Sequence, residues 1–433
     1  MRRGLPAPLV AYRIATTLLA PLAPALLTWR ARQNKEDSDR LGERRGRPSR
    51  ARPAGDLIWV HGASIGETQS LLPLIDALVG RGLKVLVTSG TRTSADILER
   101  RLPPGARHQY LPLDVPFLVG RFLDHWRPHL ALFAESEIWP NILVELDRRR
   151  VPLILVNARL SARSFQGWRR VPGVARALFD RFALCIAQSG DDAGRLDALG
   201  ASPVEISGNL KFDVAPLPAD PAAVESLSGL FAGRPIWVAA STHPGEDEQV
   251  IAAHVAMRER RPGLLTILAP RHPACAGEIA DYATSAGLAT ARHSHGERPA
   301  SPVDLYLVDT VGELGLFYRL APLAFMGGSL VPHGGQNPIE PVRLGAAVLH
   351  GPHVDNFREV YEMLDAAGGA QAVADYETLA AAAADLLGQP GRMREMARRG
   401  AGAVEQMAGA LARTLRWIDP FLPPPRDPHE ALW

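Results

Sequence analysis

A carboxylate that follows an early apolar run is a candidate general base. Glu67 ends the segment His61-Gly62-Ala63-Ser64-Ile65-Gly66-Glu67, which comes directly after Leu57 to Val60. A carboxylate beside a bound hydroxyl group can take its proton. The same residue completes the pattern Ser64-x-x-Glu67, a capping box in which both side chains satisfy backbone amides at a helix start. On the residue pattern alone the cap is the favoured interpretation, because capping boxes are common.

Two further carboxylates and a lysine occupy similar positions. Glu135 and Glu137 follow the apolar run Leu130 to Ala134, and Lys211 lies in Ser207 to Asp213. Negative charge at a helix start complements the helix dipole, which explains Glu137 more easily than Glu135. Lys211 suits a phosphate or carboxylate partner, although a surface lysine is the default interpretation. Glu135 and Lys211 therefore join Glu67 as candidate site residues.

Loops in the second half of the chain are suited to an anionic ligand. Pro270-Arg271 follows an apolar run, and an arginine matches phosphate oxygens with two parallel hydrogen bonds. Val311-Gly312-Glu313 follows the next run. Asn337-Pro338-Ile339-Glu340 comes after two glycines and has an asparagine cap with proline in the first turn. A glycine-rich approach to a capped helix equally suits anion binding by free amides.

The strands and helices that must position these loops are predicted to form a repeated α/β pattern. Short apolar runs of strand type alternate with segments of helical periodicity, which predicts parallel sheets with right-handed crossovers. Ligands then lie beyond the carboxyl ends of the strands. The predicted strands are 57–60, 84–88, 130–134, 153–156, 236–240, 264–269, 305–309, 323–326 and 347–349.

Prolines mark the predicted domain boundary. Three prolines between Val214 and Pro221 prevent a continued helix or central strand. The sequence therefore predicts a basic anchor segment (1–53), two Rossmann-like domains (54–215 and 222–417) and a proline-rich tail (418–433). A helical stretch is expected from about Arg392 to Trp417.

Composition excludes several classes of function. The two cysteines suggest neither a disulfide framework nor a zinc site, and the thirteen histidines show no metal-binding spacing, so no metal is expected. His61 to Glu67 does not match G-x-G-x-x-G, which argues against a nicotinamide cofactor, and no other cofactor is predicted. Eleven arginines lie within the first 52 residues. No aromatic side chains are interleaved with them, so nucleic acid is not the expected partner.

The N-terminal arginines accompany an apolar segment. Ile14 to Trp29 carries no charge and is short for a bilayer crossing, which needs about 20 apolar residues. The segment either spans with help from Leu5 to Tyr12 or lies in the membrane interface. The arginines after it favour an uncleaved anchor with the remaining chain on the cytoplasmic side. A solvated linker is the alternative interpretation of any single arginine.

The ordered motifs resemble those of the 3-deoxy-D-manno-octulosonic acid (Kdo) transferases of lipopolysaccharide synthesis. The resemblance covers nearly the whole chain, and the order and spacing of the motifs together are specific. The segments that carry it are 61–67, 135–141, 157–164, 208–213, 241–243, 270–273, 311–313 and 327–341.

The resemblance implies a GT-B fold with the ligand between two Rossmann-like domains, CMP-Kdo as donor and a lipid A precursor at the inner membrane as acceptor. By position, Glu67 resembles the family's general base in an inverting transfer, and this reverses the preference for a simple cap. Glu135 and Lys211 resemble residues that support the transition state. The segments containing Pro270 and Arg271, then Val311, Gly312 and Glu313, then Asn337, Pro338, Ile339 and Glu340, resemble the CMP-contacting segments.

Departures from the family pattern are modest. Val311 stands where a methionine is often found, and Gln336 stands where a histidine can occur. Two other functions remain open. One is a GT-B transferase that uses a UDP-hexose, and the other is a membrane-tethered nucleotide-binding scaffold without catalytic activity.

Overall fold

Alternating strands and helices build two α/β units. The computed structural model of the protein describes residues 4–231, 233–300 and 302–424. One unit contains the chain up to Val214 together with the residues from Met407 onward, and the other runs from Ala215 to Gln406. Each unit holds a seven-stranded sheet in which all described pairings are parallel. The predicted fold class, two parallel Rossmann-like units, is confirmed.

The first sheet has the strand order β3-β2-β1-β4-β5-β6-β7. Its strands are β1 (Leu57–His61), β2 (Lys84–Ser89), β3 (Ala106–Tyr110), β4 (Leu130–Ala134), β5 (Leu153–Ala158), β6 (Leu184–Ala187) and β7 (Val204–Ile206). Three helices precede β1 in the chain: α1 (Ala7–Leu19), α2 (Ala23–Arg32) and α3 (Leu41–Arg44). The helices after β1 are α4 (Ile65–Gly80), α5 (Arg92–Arg101), α6 (Pro116–Trp126), α7 (Pro140–Arg148), α8 (Ala162–Arg169), α9 (Pro172–Phe179) and α10 (Gly190–Ala198).

The second sheet has the order β10-β11-β9-β8-β12-β13-β14. Its strands are β8 (Ile236–Thr242), β9 (Leu265–Pro270), β10 (Thr290–Arg292), β11 (Leu305–Leu307), β12 (Leu323–Met326), β13 (Ala347–His350) and β14 (Ala370–Ala372). The helices are α11 (Pro221–Phe231), α12 (Asp247–Arg258), α13 (Ala276–Ser285), α14 (Leu314–Leu320), α15 (Ile339–Arg343), α16 (Arg358–Ala366), α17 (Tyr376–Gly388), α18 (Pro390–Met407) and α19 (Ala410–Ile418).

The central strands are fully buried because parallel sheets carry helices on both faces. All residues of β1, β4 and β5 are buried, as are those of β12 and β13. These strands are the apolar runs that the sequence analysis identified. Because their carboxyl ends lie at one edge of each sheet, the loops that follow them gather there.

Five strands were not predicted from the sequence, and four of them lie at the edges of the sheets. β3 and β7 end the first sheet, and β10 and β14 end the second. An edge strand has one bare side and does not need a continuous apolar run, and β3 indeed has the polar sequence Ala-Arg-His-Gln-Tyr. The fifth, β6, is a buried inner strand of four residues, and no edge position explains why it was missed.

The N-terminal helices α1 and α2 lie on the first unit. Arg13 donates from Nη2 to Oε1 of Glu145 over 2.7 Å, and Tyr12 donates from its hydroxyl to Oδ2 of Asp114 over 3.0 Å. Leu9 and Leu27 are both 2% exposed. One face of the helix pair is therefore packed against the protein.

The C-terminal helical stretch differs from the expectation. It divides into α18 and α19, with Gly409 between them at a φ of 88°. Asp213 accepts hydrogen bonds from the amides of Gly409 and Leu411, at 2.6 and 2.7 Å, and so caps the start of α19. Helix α19 therefore belongs to the first unit, whereas the predicted 222–417 domain placed it in the second. The part of the predicted tail beyond residue 424 lies outside the described residues.

We predict that Asp213→Ala lowers the stability of the first unit. The substitution removes an acceptor for two amides at the start of α19, which should cost about 1 to 2 kcal/mol. Urea unfolding measures the change, and Glu405→Ala, at an exposed position on α18, is the control. An unfolding midpoint equal to that of the control variant would contradict this role for Asp213.

Candidate active site

Glu67 lies at the carboxyl edge of the first sheet, where β1 turns into α4. Ser64 is the N-cap of α4, and its hydroxyl accepts from the Glu67 amide at 3.3 Å. The Glu67 carboxylate in turn accepts from the Ser64 hydroxyl at 2.7 Å and from the Ala63 amide at 2.8 Å. Both predicted halves of the cap are thus present, with the reciprocal bond made to Ala63. The side chain remains only partly buried.

The surroundings of Glu67 make its carboxylate a stronger base. Burial raises its pKa, and the neighbouring charges of Glu137 and Glu135 also raise it, against the hydrogen bonds from Ser64 and Ala63. Each carboxylate oxygen accepts one of these two hydrogen bonds, and a carboxylate oxygen has a second direction in which it can accept. Capping and proton abstraction are therefore compatible in this side chain.

Glu137 is held inside the first unit. Its Oε2 lies 3.1 Å from Nε2 of His61 and accepts from the Trp139 indole at 2.7 Å. Burial alone would raise the pKa of Glu137, but these two neighbours outweigh it and the pKa is lowered. Glu137 therefore stays ionised and acts on Glu67 as a fixed negative charge.

Glu135 and Lys211 meet at the same edge. Lys211 Nζ lies 3.6 Å from Oε1 of Glu135, and both side chains are about one-fifth exposed, at 20% and 19%. Asn157 brings the lysine segment to this position, since its Oδ1 accepts from the Leu210 amide at 2.9 Å. The structure thus places the three candidates Glu67, Glu135 and Lys211 together on the first unit.

Two of these strand ends have unusual backbone conformations. Glu135 follows β4 with a φ of 50°, and Asn157 lies near the end of β5 with the same value. Residues other than glycine seldom adopt this left-handed conformation, which occurs preferentially at functional sites. The strain redirects the chain beyond each strand, so that Glu135 and the amide of Asn157 turn toward the lysine segment.

The candidate nucleotide segments follow strands β11, β9 and β12 of the second sheet, with β8 between the last two. Pro270 ends β9 and Arg271 follows it, while 311–313 comes after β11 and 337–340 after β12. The strand order β11-β9-β8-β12 brings these loops side by side. The structure therefore collects the predicted residues at one edge of one unit.

Individual side chains in these segments are accessible. Arg271 is exposed, and its amide donates to the Thr242 carbonyl at 2.8 Å. Val311 is 78% exposed, and Glu313 Oε2 lies 3.2 Å from Nε2 of His293. Asn337 Oδ1 accepts from the Ile339 amide at 3.1 Å, but the N-cap of the following helix is Pro338 and not the predicted Asn337. The following helix α15 has only five residues, which weakens the expectation that its dipole binds an anion.

A buried carboxylate that the sequence analysis missed organises the glycine-rich loop. Glu246 has no exposed surface and accepts from the amides of Gly328, Ser329 and Leu330 at 2.6, 3.0 and 2.8 Å. It also accepts from the His243 amide at 3.2 Å. The amides of residues 328–330 are therefore occupied by the protein itself.

Histidines gather beside this loop. The rings of His243 and His333 stack with centroids 4.2 Å apart, and the ring of His272 lies 5.9 Å from that of His243 at a steep angle. Gln336 Nε2 lies 3.2 Å from Nε2 of His243. Their positions at 243, 272 and 333 give no local motif. The available signals were that each follows a predicted strand and that each lies in a segment that carries the family resemblance (241–243, 270–273 and 327–341).

No described group of three or more His, Cys, Asp and Glu side chains has an arrangement that could hold a metal ion.

A cavity of about 630 Å³ lies away from the candidate residues and is lined by residues that include Asp56, Lys84 and Asp419. Asp56 and Lys84 stand at the amino ends of β1 and β2. Ligands of parallel α/β units bind at the opposite edge, so this cavity is not the candidate site.

Comparisons with known proteins identify relatives of the chain. The family model of 3-deoxy-D-manno-octulosonic-acid transferase (kdotransferase) matches residues 39–214. The 3-deoxy-D-manno-octulosonic acid transferase of Bordetella pertussis is 37% identical over 94% of this chain and 99% of its own length. That of Haemophilus influenzae is 34% identical over 88% and 91%.

A solved structure supports the fold alone. UDP-GlcNAc 2-epimerase from Neisseria meningitidis, bound to UDP-GlcNAc, is 15% identical and aligns with 83% of this chain and 100% of its own. The TM-score is 0.53. This agreement confirms a GT-B-like pair of Rossmann units and carries no information on substrate.

We predict that Ser64→Ala destabilises the protein more at pH 8 than at pH 4.5. Loss of the N-cap should cost about 1 kcal/mol at either pH. The Glu67 pKa is raised in the folded state, so the stability linked to this group is present at low pH and lost as pH rises through that pKa. Removing the Ser64 hydroxyl takes away a hydrogen bond to the ionised Glu67 carboxylate, so the loss of stability at high pH becomes larger.

Urea unfolding at the two pH values measures this difference. Ser161→Ala is the matched control, because Ser161 caps α8 by accepting from the Ser164 amide at 3.1 Å. Its effect should not change with pH. Equal pH dependence in the two variants would show that the Ser64 hydroxyl does not stabilise the Glu67 carboxylate.

Proposed function

Since the chain belongs to the 3-deoxy-D-manno-octulosonic acid transferase family, we propose that this glycosyltransferase moves Kdo from CMP-Kdo to a lipid A precursor with inversion at the anomeric carbon. The observation that supports this most directly is the Glu67 carboxylate, which is partly exposed at the carboxyl edge of the first sheet with a raised pKa. A carboxylate with a raised pKa accepts a proton more readily than an ordinary glutamate.

In the proposed reaction Glu67 takes the proton from the acceptor hydroxyl as its oxygen attacks the anomeric carbon of Kdo. The bond from that carbon to the phosphate oxygen breaks, and CMP leaves with the bonding electrons. Lys211, beside Glu135, supplies positive charge near the reacting groups. Arg271 is accessible to the phosphate, and a leaving monophosphate carries less charge than a diphosphate. The chain's own cations can therefore support departure.

The cytidine end of the donor is assigned to the second unit. Val311, Gly312 and Glu313 follow β11, and Asn337 to Glu340 follow β12, on either side of the β9 loop that carries Arg271. We propose that these segments contact the nucleotide. A UDP-hexose would be the donor in the alternative transferase, and calorimetric comparison of CMP with UDP separates the two.

We predict that Glu67→Gln keeps the fold and CMP binding but lowers kcat roughly 100- to 10,000-fold. The glutamine oxygen can still accept from the Ala63 amide, so the helix start is preserved while the base is lost. Mass spectrometry of the lipid product from CMP-Kdo and lipid A precursor measures turnover. Retained activity with a lowered melting temperature would mean that Glu67 is only a cap. Product from the wild-type protein also excludes the scaffold alternative.

We further propose that α1 and α2 lie along the surface of the inner membrane, with both units on the cytoplasmic side. The helix pair is long and apolar enough to cross a bilayer, with a mean hydropathy of 1.5 over its most apolar window. A crossing would take Arg13 and its partner Glu145 on α7 into hydrocarbon, together with the part of the first unit that carries Glu145.

The exposed face of the helix pair suits an interfacial position instead. Five exposed apolar residues, spaced three or four positions apart, form one stripe opposite the docked side of the helices: Ile14, Leu18, Leu22, Leu26 and Trp29. Helices with one apolar face bind in the plane of the membrane, and arginines beside them add attraction to anionic lipids. Arg30 and Arg32 in the last turn of α2 fit this pattern.

We predict that Leu18→Glu with Leu22→Glu moves the protein from the membrane to the soluble fraction and leaves CMP affinity unchanged. Both side chains are more than half exposed, at 73% and 63%, so the docked face should remain intact. Val171→Glu, which charges another exposed apolar position of the same unit, is the control and should stay membrane-bound.

A topology experiment separates the interfacial position from a crossing. Gly4→Cys in a Cys275→Ser background places a thiol before α1, and the remaining Cys185 is buried. A membrane-impermeant maleimide should not label intact spheroplasts and should label the protein after lysis. Labelling before lysis would show that the helix spans the membrane.

A further inference from the structure

We propose that His243, together with His272 and His333, forms an anion-binding site that takes up a proton when the phosphate of the cytidylate binds. This inference rests on the proposed nucleotide site, to which it adds residues and a pH dependence. It is drawn from the arrangement of three imidazole rings and Arg271 around one point at the carboxyl edge of the second sheet.

The backbone holds His243 firmly in this position. A β-bulge interrupts the pairing of β8 with β9 between Ala240 and Thr242, and Ser241 within it has a φ of 57°. Glu246 accepts from the His243 amide and also from three amides of the glycine-rich loop. A Cβ atom on Gly327 would collide with the Ser241 backbone. Bulges of this kind occur next to active sites, where they redirect a side chain.

The side chains next to the His243 ring carry either a positive charge or no charge. His333 stacks on it, His272 stands across it, and Arg271 follows the adjacent strand. The Glu246 carboxylate, which accepts from the His243 amide, is also bound to three amides of the glycine-rich loop, and burial raises the pKa of the next carboxyl group, that of Asp247, to about 6. His272, His333 and Arg271 are all exposed, so a phosphate can approach from solvent. Within the described part of the chain none of these three histidines forms an ion pair with a carboxylate, and a bound anion would supply the counter-charge.

Protonation is suppressed while the site is empty. Burial lowers the pKa of His243 to about 4, and the charges of His333, His272 and Arg271 lower it too. A bound phosphate reverses this effect, because an opposite charge favours the protonated ring. The contact with Gln336 survives the change, since a glutamine amide can donate to a neutral ring nitrogen or accept from a protonated one.

The direction of the pH effect follows from these facts. With a low pKa in the free protein and a higher one in the complex, binding takes up a proton at any pH between the two values. The affinity for the phosphate group should therefore fall as pH rises through the pKa of the complex. Cytidine has no phosphate, and its binding should not show this dependence.

Calorimetric titration with CMP and with cytidine, from pH 5.5 to 8.5, tests the inference. At pH 6 we expect His243→Gln to weaken CMP binding roughly tenfold or more and to leave cytidine binding nearly unchanged, because a charge-assisted hydrogen bond is lost. At pH 8.5 the difference between wild type and variant should shrink. Because wild type and variant are compared at the same pH, titration of the CMP phosphate itself affects both measurements equally.

Two further variants complete the experiment. His333→Gln changes an exposed residue that cannot compromise the core, and it should also weaken CMP binding selectively. His295→Gln changes an exposed histidine outside the cluster and should have no effect.

The outcomes are distinguishable. Unchanged CMP affinity in His243→Gln, or an effect of equal size at every pH, overturns the histidine proposal while leaving the cytidylate site in place. Failure of both CMP and cytidine to bind the wild-type protein overturns the proposed nucleotide site and this inference with it.

Discussion

The parallel direction of all paired strands is the constraint on which the arrangement of candidate residues depends. Because every strand of a sheet points the same way, each functional loop emerges at one edge. Glu67, Glu135 and the Lys211 segment follow strands of the first sheet, while Arg271 and the histidine cluster follow strands of the second. Residues far apart in the chain become neighbours at that edge without any long connection. The candidate site residues of each unit are therefore concentrated where the β-strands end.

Left-handed backbone conformations recur at these strand ends. Glu135, Asn157 and Ser241 have φ values of 50°, 50° and 57°. In each case nearby hydrogen bonds offset the strain: the Glu135 amide donates to Val156, Asn157 accepts from the Leu210 amide, and Glu246 holds the loop after Ser241. A strained residue persists only when its surroundings determine its position more strongly than local preference does. The strain thus indicates which loops the fold positions most tightly.

Sequence patterns predicted the parts of the structure that depend on local composition. The nine buried strands were recognisable because both faces of a parallel sheet require apolar side chains, whereas β3, β7, β10 and β14 lie at sheet edges, where this requirement is relaxed. The capping interaction of Ser64 and Glu67 could also be predicted, since its partners are three residues apart. The roles of Glu246 and His243 could not, because their partners belong to loops that approach only after the sheet has formed. For the same reason the placement of α19 was wrong, as it depends on the distant Asp213.

The double engagement of Glu67 illustrates why a cap and a base need not be alternatives. A helix start supplies amides that fix a carboxylate in one rotamer, which is the preorganisation that a general base requires. Those same hydrogen bonds lower the pKa and would weaken the base, but burial and the fixed charges of Glu137 and Glu135 act in the opposite direction and dominate. His61 and Trp139 keep Glu137 ionised, so its effect on Glu67 persists across the neutral range. The first sheet thereby positions the carboxylate through α4 and adjusts its basicity through the loop after β4.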